Sequence, residues 1–166
     1  MDVRPYSGIP AIARLGETLS QVTSRTTFPY VKVPLSEDPS LEKLNFTEGL
    51  HFTTLGIHVY FRRMGVTLIV AQEPFRGVIA NKKIKLFSFA VPPVENWETH
   101  LFKELGLPDT RASGGRFGSE ILFYEWGDIS YNRMGPNQIA IYRDPEIKTY
   151  RQTNFGRELS LFPQKK

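Results

Sequence analysis

The chain has 166 residues and a mass of 19.0 kDa; 40% of it is apolar, 13% aromatic, and its formal net charge is +4 with a pI near 9.4. A chain of this length buries about 70% of its unfolded surface and folds as one domain without a metal or a disulfide. It has no cysteine, which excludes a disulfide scaffold, a thiolate zinc site and a Cys nucleophile.

Residues Met1 to Arg14 lack the apolar core of a secretory signal. Runs such as Val66 to Ala71 fall far short of the ~20 residues that span a bilayer. The expectation is a cytoplasmic protein. Basic pairs occur at Arg62-Arg63, Lys82-Lys83 and Lys165-Lys166. None belongs to the dense cluster of a nucleic-acid arm, so a solvated basic surface is the first reading.

Pro5, Gly8 and Pro10 keep residues 1–11 out of regular structure. A short helix is expected over residues 17–26. Thr18 can cap free backbone N–H groups, with Gln21 three residues on as its capping-box partner. Leu19 and Val22 then face a core. Phe28-Pro29 ends the helix, and Tyr30 to Pro34 alternates like a brief strand. Residues 36–49 read as a surface loop or one helical turn around Leu41 and Leu44.

The clearest β signal follows. Gly56 to Phe61 and Val66 to Ala71 are rich in β-branched and aromatic residues. Four residues, Arg62 to Gly65, join them, with Gly65 available for a positive φ. Strand character continues in Gly77 to Ala80 and Ile84 to Phe89. The strongest helix spans Val94 to Leu105, with Val94, Trp97, Leu101 and Leu105 on one stripe. Gly106 and Pro108 stop it. Residues 109–119 read as a flexible Gly-rich loop. Ile121 to Trp126 is a strand, Gly127-Asp128 a bend, and Gln138 to Tyr142 another strand. Ile147 to Arg151 and Leu159 to Phe162 end the chain, one of them an edge strand.

The two halves echo each other. Arg63-Met64-Gly65 and Arg133-Met134-Gly135 precede apolar strands at an offset of 70. A helix precedes each hairpin, and Pro29 and Pro108 follow the helices. This predicts an α+β domain over 1–166: a mostly antiparallel sheet of hairpins with helices on one face. Pseudo-repeats over 12–83 and 84–151 are the finer expectation.

The run Leu15-Gly16-Glu17-Thr18-Leu19-Ser20-Gln21-Val22, with the later Trp97 to Leu105-Gly106-Leu107-Pro108, resembles helix segments of small bacterial repeat proteins. Those include proteins of the β-lactamase-inhibitor-protein-like fold and several immunity proteins of bacterial toxin systems. Leu55 to Phe61 through Phe75 to Ile79 is similar to a stretch of such immunity families. The likeness covers about residues 12–143; the second helix departs from it, opening on Phe89-Ala90-Val91. The resemblance implies stoichiometric binding and neutralisation of a cognate toxin, without catalysis.

The chemistry-bearing residues are few. His51 and His58, seven apart on or near one strand, are expected on opposite faces. His100 lies four before Glu104 on the helix. No HExxH or other zinc spacing exists, and no metal or cofactor is expected. Glu120, Glu125 and Asp128 lie near Trp126, and Glu125 or Asp128 could serve an acid/base enzyme. The Gly-rich loop has neither the Walker lysine nor the GxGxxG order. The interaction bet falls on the second-half strands: Tyr124, Trp126, Asp128, Tyr131, Arg133, Tyr142 and Arg143, with Tyr150 and Arg151 beyond. Aromatic and arginine side chains dominate binding hot spots. One face of every strand must also fill a core, so half of these aromatics belong inside. A non-enzymatic protein binder leads; a polyanion binder and a carboxylate enzyme are the alternatives.

Overall fold

A computed structural model describes residues 3–37, 39–71, 85–86, 89–90, 97–114, 119–132, 135–144 and 146–147. The fold is α+β. Two short strands, β1 (Gly8–Ile9) and β2 (Ala13–Arg14), form a small antiparallel pair. Helix α1 (Leu19–Arg25) follows, then β3 (Val31–Lys32), a 3-10 turn (Leu35–Glu37) and α2 (Pro39–Lys43). Strands β4 (Glu48–Phe52), β5 (Ile57–Arg62) and β6 (Gly65–Ala71) make a meander. A two-residue hairpin, β7 (Lys85–Leu86) with β8 (Phe89–Ala90), precedes α3 (Trp97–Leu105). The second meander is β9 (Thr110–Gly114), β10 (Ser119–Tyr124), β11 (Gly127–Asn132) and β12 (Gly135–Tyr142).

The capping box expected at Thr18 forms. The Gln21 N–H donates to Thr18 Oγ1 at 3.1 Å, and the Thr18 N–H donates to Gln21 Oε1 at 2.8 Å. This satisfies two backbone donors that the helix itself cannot, worth about 1 kcal/mol. Val22 is fully buried and Leu19 packs on the core, as the spacing requires. Just before the helix, the Gly16 N–H donates to Val66 O and the Val66 N–H to Glu17 O, both at 2.8 Å. Gly65 sits at this crossing with φ +108°, and a Cβ there would lie 2.5 Å from Gly16 O. Only glycine meets both demands.

Eight strands, the seven longest and the two-residue β3, join one sheet, ordered β3-β4-β5-β6-β12-β11-β10-β9 and antiparallel throughout. Each half supplies four neighbouring strands, and β6 meets β12 at the centre. Across that seam Val70 pairs with Ala140, its counterpart 70 positions later; Ile69 pairs with Ile141, and Ala71 with Ile139. Equivalent residues therefore meet or exchange about a local two-fold axis. The hairpins on either side share one register: Tyr60 faces Leu68 as Ser130 faces Gln138. Both slip at the same place, between Tyr60 and Phe61 and between Ser130 and Tyr131. A shared β-bulge is a property of the backbone path, which a chance match of three residues does not produce. The bounds 12–83 and 84–151 run through residues outside the described set.

The two faces of the sheet are covered differently. Leu50, Val59, Ile69, Ile141, Ile129 and Leu122 point to one face, where Val22 of α1, Leu101 of α3 and the N-terminal Val3, Ile9 and Ile12 close over them. Burying each such side chain contributes about 1.5–3 kcal/mol. The other face carries Tyr60, Leu68, Val70 and Tyr142, covered by Leu41 of α2, Phe46 and Ile147. Helices α1 and α3 share a face as expected; α2 is an addition on the opposite one.

Several local expectations change. Residues 110–114, expected within a flexible loop, instead pair antiparallel with 119–124, because Ile121 and Leu122 of the expected strand are buried and residues 110–114 add beside them. The bend at Gly127-Asp128 moves to Glu125-Trp126, and Gly127 is already strand. A Cβ on Gly127 would sit 2.1 Å from Ala140 O, so close strand approach is what this glycine serves. The strand over 77–80, Val94, the side chain of Trp97 and the tail strands at 148–151 and 159–162 lie outside the described residues.

Candidate functional site

The residues singled out in the second half divide sharply by burial. Tyr124, Trp126, Asp128, Tyr131 and Tyr142 are all buried, none more than 5% exposed. They are interior side chains and not the exposed surface expected for those five, and Tyr124 and Trp126 meet the outside only as the floor of a cleft. Arg143 is exposed, and its guanidinium donates to the Tyr6 carbonyl at 3.4 Å. Arg133, Tyr150 and Arg151 lie outside the described residues.

Several of the interior polar groups are hydrogen-bonded. Tyr142 donates to Asp128 Oδ1 at 2.8 Å. Burial pushes the Tyr142 phenol well above its ordinary pKa. Asp128 is 1% exposed. Tyr131 donates to Glu98 Oε1 at 2.9 Å, alternatively to Glu120, and Arg111 donates to Glu98 at 2.7 Å and to the Tyr131 oxygen at 2.6 Å. Burial, then the hydrogen bonds to Glu120 and Glu98, raise the Tyr131 pKa beyond the phenol range. This network ties α3 to β9, β10 and β11.

His51 and His58 stand directly opposite each other on β4 and β5, and their rings stack at 4.0 Å and 7° on the same face. The turn over residues 53–56 reverses the chain between them, so strand alternation does not separate them. Burial, and then the neighbouring His51, lower the His58 pKa to about 4. Among the described residues no group of three or more His, Asp or Glu could hold a metal; the side chain of His100 lies outside that set.

The exposed site is assembled next to the interior aromatics. Tyr124 and Trp126 stack at 5.1 Å and 24°, and Tyr124 donates to Gly106 O at 2.9 Å. Burial pushes the Tyr124 pKa up to about 12. Over this pair opens a cleft of about 280 Å³. Tyr6 forms one wall and is 50% exposed; Leu107 forms another and is 77% exposed. Pro5, Leu105 and three carboxylates, Glu104, Asp109 and Glu125, complete the lining. Tyr6 donates to Glu125 Oε2 at 3.0 Å, and that bond is the first cause of its raised pKa. Its backbone is left-handed at φ +63°, a costly conformation for a tyrosine and one that clusters at functional sites.

Sequence reasoning reached the floor of this cleft and Glu125 but missed Tyr6, Leu107, Asp109 and Glu104. One signal was available: Leu107 is an apolar residue placed after the Gly106 stop, where the helix can no longer bury it. Tyr6 gives no such signal, because 119 residues separate it from Glu125.

Comparison with protein-family models, with curated proteins and with solved structures finds no match to this chain.

Proposed function

We propose that this chain is a non-enzymatic binding protein that neutralises a cognate bacterial toxin by stoichiometric protein–protein contact, in the cytoplasm. The observation that carries the reading is the open cleft beneath Tyr6. It presents a half-exposed tyrosine and an exposed leucine beside three carboxylates and Arg143. Exposed aromatic and apolar anchors bordered by charge are what protein interfaces use. The resemblance of the helix segments to immunity families supports the toxin as partner. The polyanion alternative gains little: Arg25 is paired with Glu17, Arg62 with Asp144, and Arg111 with Glu98.

The test is co-expression with the protein encoded beside this one. A growth defect caused by that neighbour should be relieved, and the two chains should co-purify at one to one. Leu107→Asp should weaken the complex about thirtyfold, the size of a hot-spot loss. A neighbour that is harmless alone and does not co-purify would remove the reading.

A further inference from the structure

We infer that the cleft beneath Tyr6 receives an arginine side chain from the protein partner, an assignment that rests on the binding reading above and specifies its chemistry. The first ground is charge. Although the chain as a whole is basic at +4, this cleft is lined by Glu104, Asp109 and Glu125. Among the described residues none of the three has an ion-pair partner, whereas Glu17, Glu98, Glu120, Asp144 and Glu146 all do. The field of Asp109 is felt at Tyr6 and Tyr124, whose phenols it helps to raise. Arg111 opposes that field at Tyr124 and Arg143 stands on the Tyr6 carbonyl, yet three carboxylates against them leave the concave wall a place that attracts and orients a cation.

The second ground is shape. The carboxylates stand on different elements: Glu104 on α3, Asp109 in the connection to β9, and Glu125 in the turn between β10 and β11. A compact ammonium serves one such group at a time. A guanidinium carries five N–H donors in a flat fork, and its faces stack on aromatic rings. Tyr6 offers that ring, already fixed by its bond to Glu125 and by Arg143 on its carbonyl. Leu107 supplies an apolar rest for the aliphatic stem.

The probe is N-acetylated, C-amidated Gly-Arg-Gly, titrated against the whole isotope-labelled chain and followed by NMR. The same peptides with citrulline or lysine in place of arginine are the comparisons. The Leu107 amide and the Trp126 indole N–H should shift saturably with the arginine peptide. Citrulline, which keeps the shape and lacks the charge, should bind at least about tenfold more weakly, the loss of one charge-assisted pair. Lysine should fall between. Asp109→Asn combined with Glu125→Gln should abolish the shifts, while Glu42→Gln, on the opposite face, should keep them. Unchanged resonances of Leu50 and Val59 show that the double variant is folded. No saturable shift, equal shifts with citrulline, or shifts that survive the double variant would overturn the assignment. A chain that co-purifies with its neighbour but shows no arginine preference loses this assignment alone. One that prefers arginine but has no protein partner loses the binding reading alone.

Discussion

The two halves of the sheet run the same course but finish differently at their outer corners. In the first half the segment after α1 places Tyr30 against Phe52, ring centroids 5.8 Å apart. The strand registers put Tyr124 where the first half has Phe52, and Asp109, the residue after Pro108, where it has Tyr30 after Pro29. One corner is thus capped by its own partly exposed aromatic, a closed corner only in that a ring covers Phe52. In the other a carboxylate replaces the ring, and Tyr6 arrives from the N-terminus to make a wall while the cleft stays open. The same backbone can carry both because the core rows, Leu50-Val59-Ile69 and Leu122-Ile129-Ile139, do the holding. The corners are free to differ, and the difference is where binding is proposed.

If the core rows are equivalent, damage to them should be equal. Leu50→Ala and Leu122→Ala should each cost about 2–5 kcal/mol in denaturant unfolding, the range for a buried leucine whose cavity collapses only in part. A large loss in one half with a negligible loss in the other would show that the halves carry unequal loads.

The opposite face has its own matched pair, since His58 and Asp128 flank the Val70–Ala140 seam at equivalent places. The folded pKa of His58, about 4, lies below its ordinary 6.5. Protonation therefore favours the unfolded chain. The contribution of neutral His58 is complete above pH 6.5 and is lost as pH falls toward 4. A decline of about 2 kcal/mol across that window is expected, less than the full shift because part of the ring still meets water. Thermal unfolding between pH 7 and 4.5 checks this, and His58→Gln should flatten the profile. Next in size is Tyr142→Phe, which keeps the ring and removes the donor to Asp128; it should cost about 1–3 kcal/mol by the same assay. The smallest effect lies at the foot of α1. Arg25→Ala breaks a partly exposed pair with Glu17 and should cost about 1 kcal/mol or less in the same unfolding assay. A larger value would mean that charge pairing, and not the capping box and Val22, holds α1 in place.

The order of elements was legible because its signals are local. Thr18 with Gln21, Gly65 after Arg63-Met64, and Gly106 before Pro108 are each a capping or turn requirement met within a few residues. The offset of 70 was visible in the Arg-Met-Gly pairs, but its meaning was not. It takes the pairing of Val70 with Ala140 to turn a sequence echo into an axis. The stacking of His51 on His58 was hidden because the turn at 53–56 contains no glycine or proline before Gly56. The aromatic and arginine pattern led mostly to side chains that are buried, two of them beneath the cleft, and not to its exposed walls. Composition cannot tell which face of β10 and β11 is covered, and burial is decided by α3 and the N-terminal segment.

The open corner is proposed as the binding face. Amide shifts on the labelled chain map the footprint of the co-purified neighbour. Tyr6, Leu107, Asp109 and Glu125 should shift together while the exposed residues of α2, on the opposite face, do not. A footprint centred on α2, or on Tyr30 and Val31 at the closed corner, would contradict it.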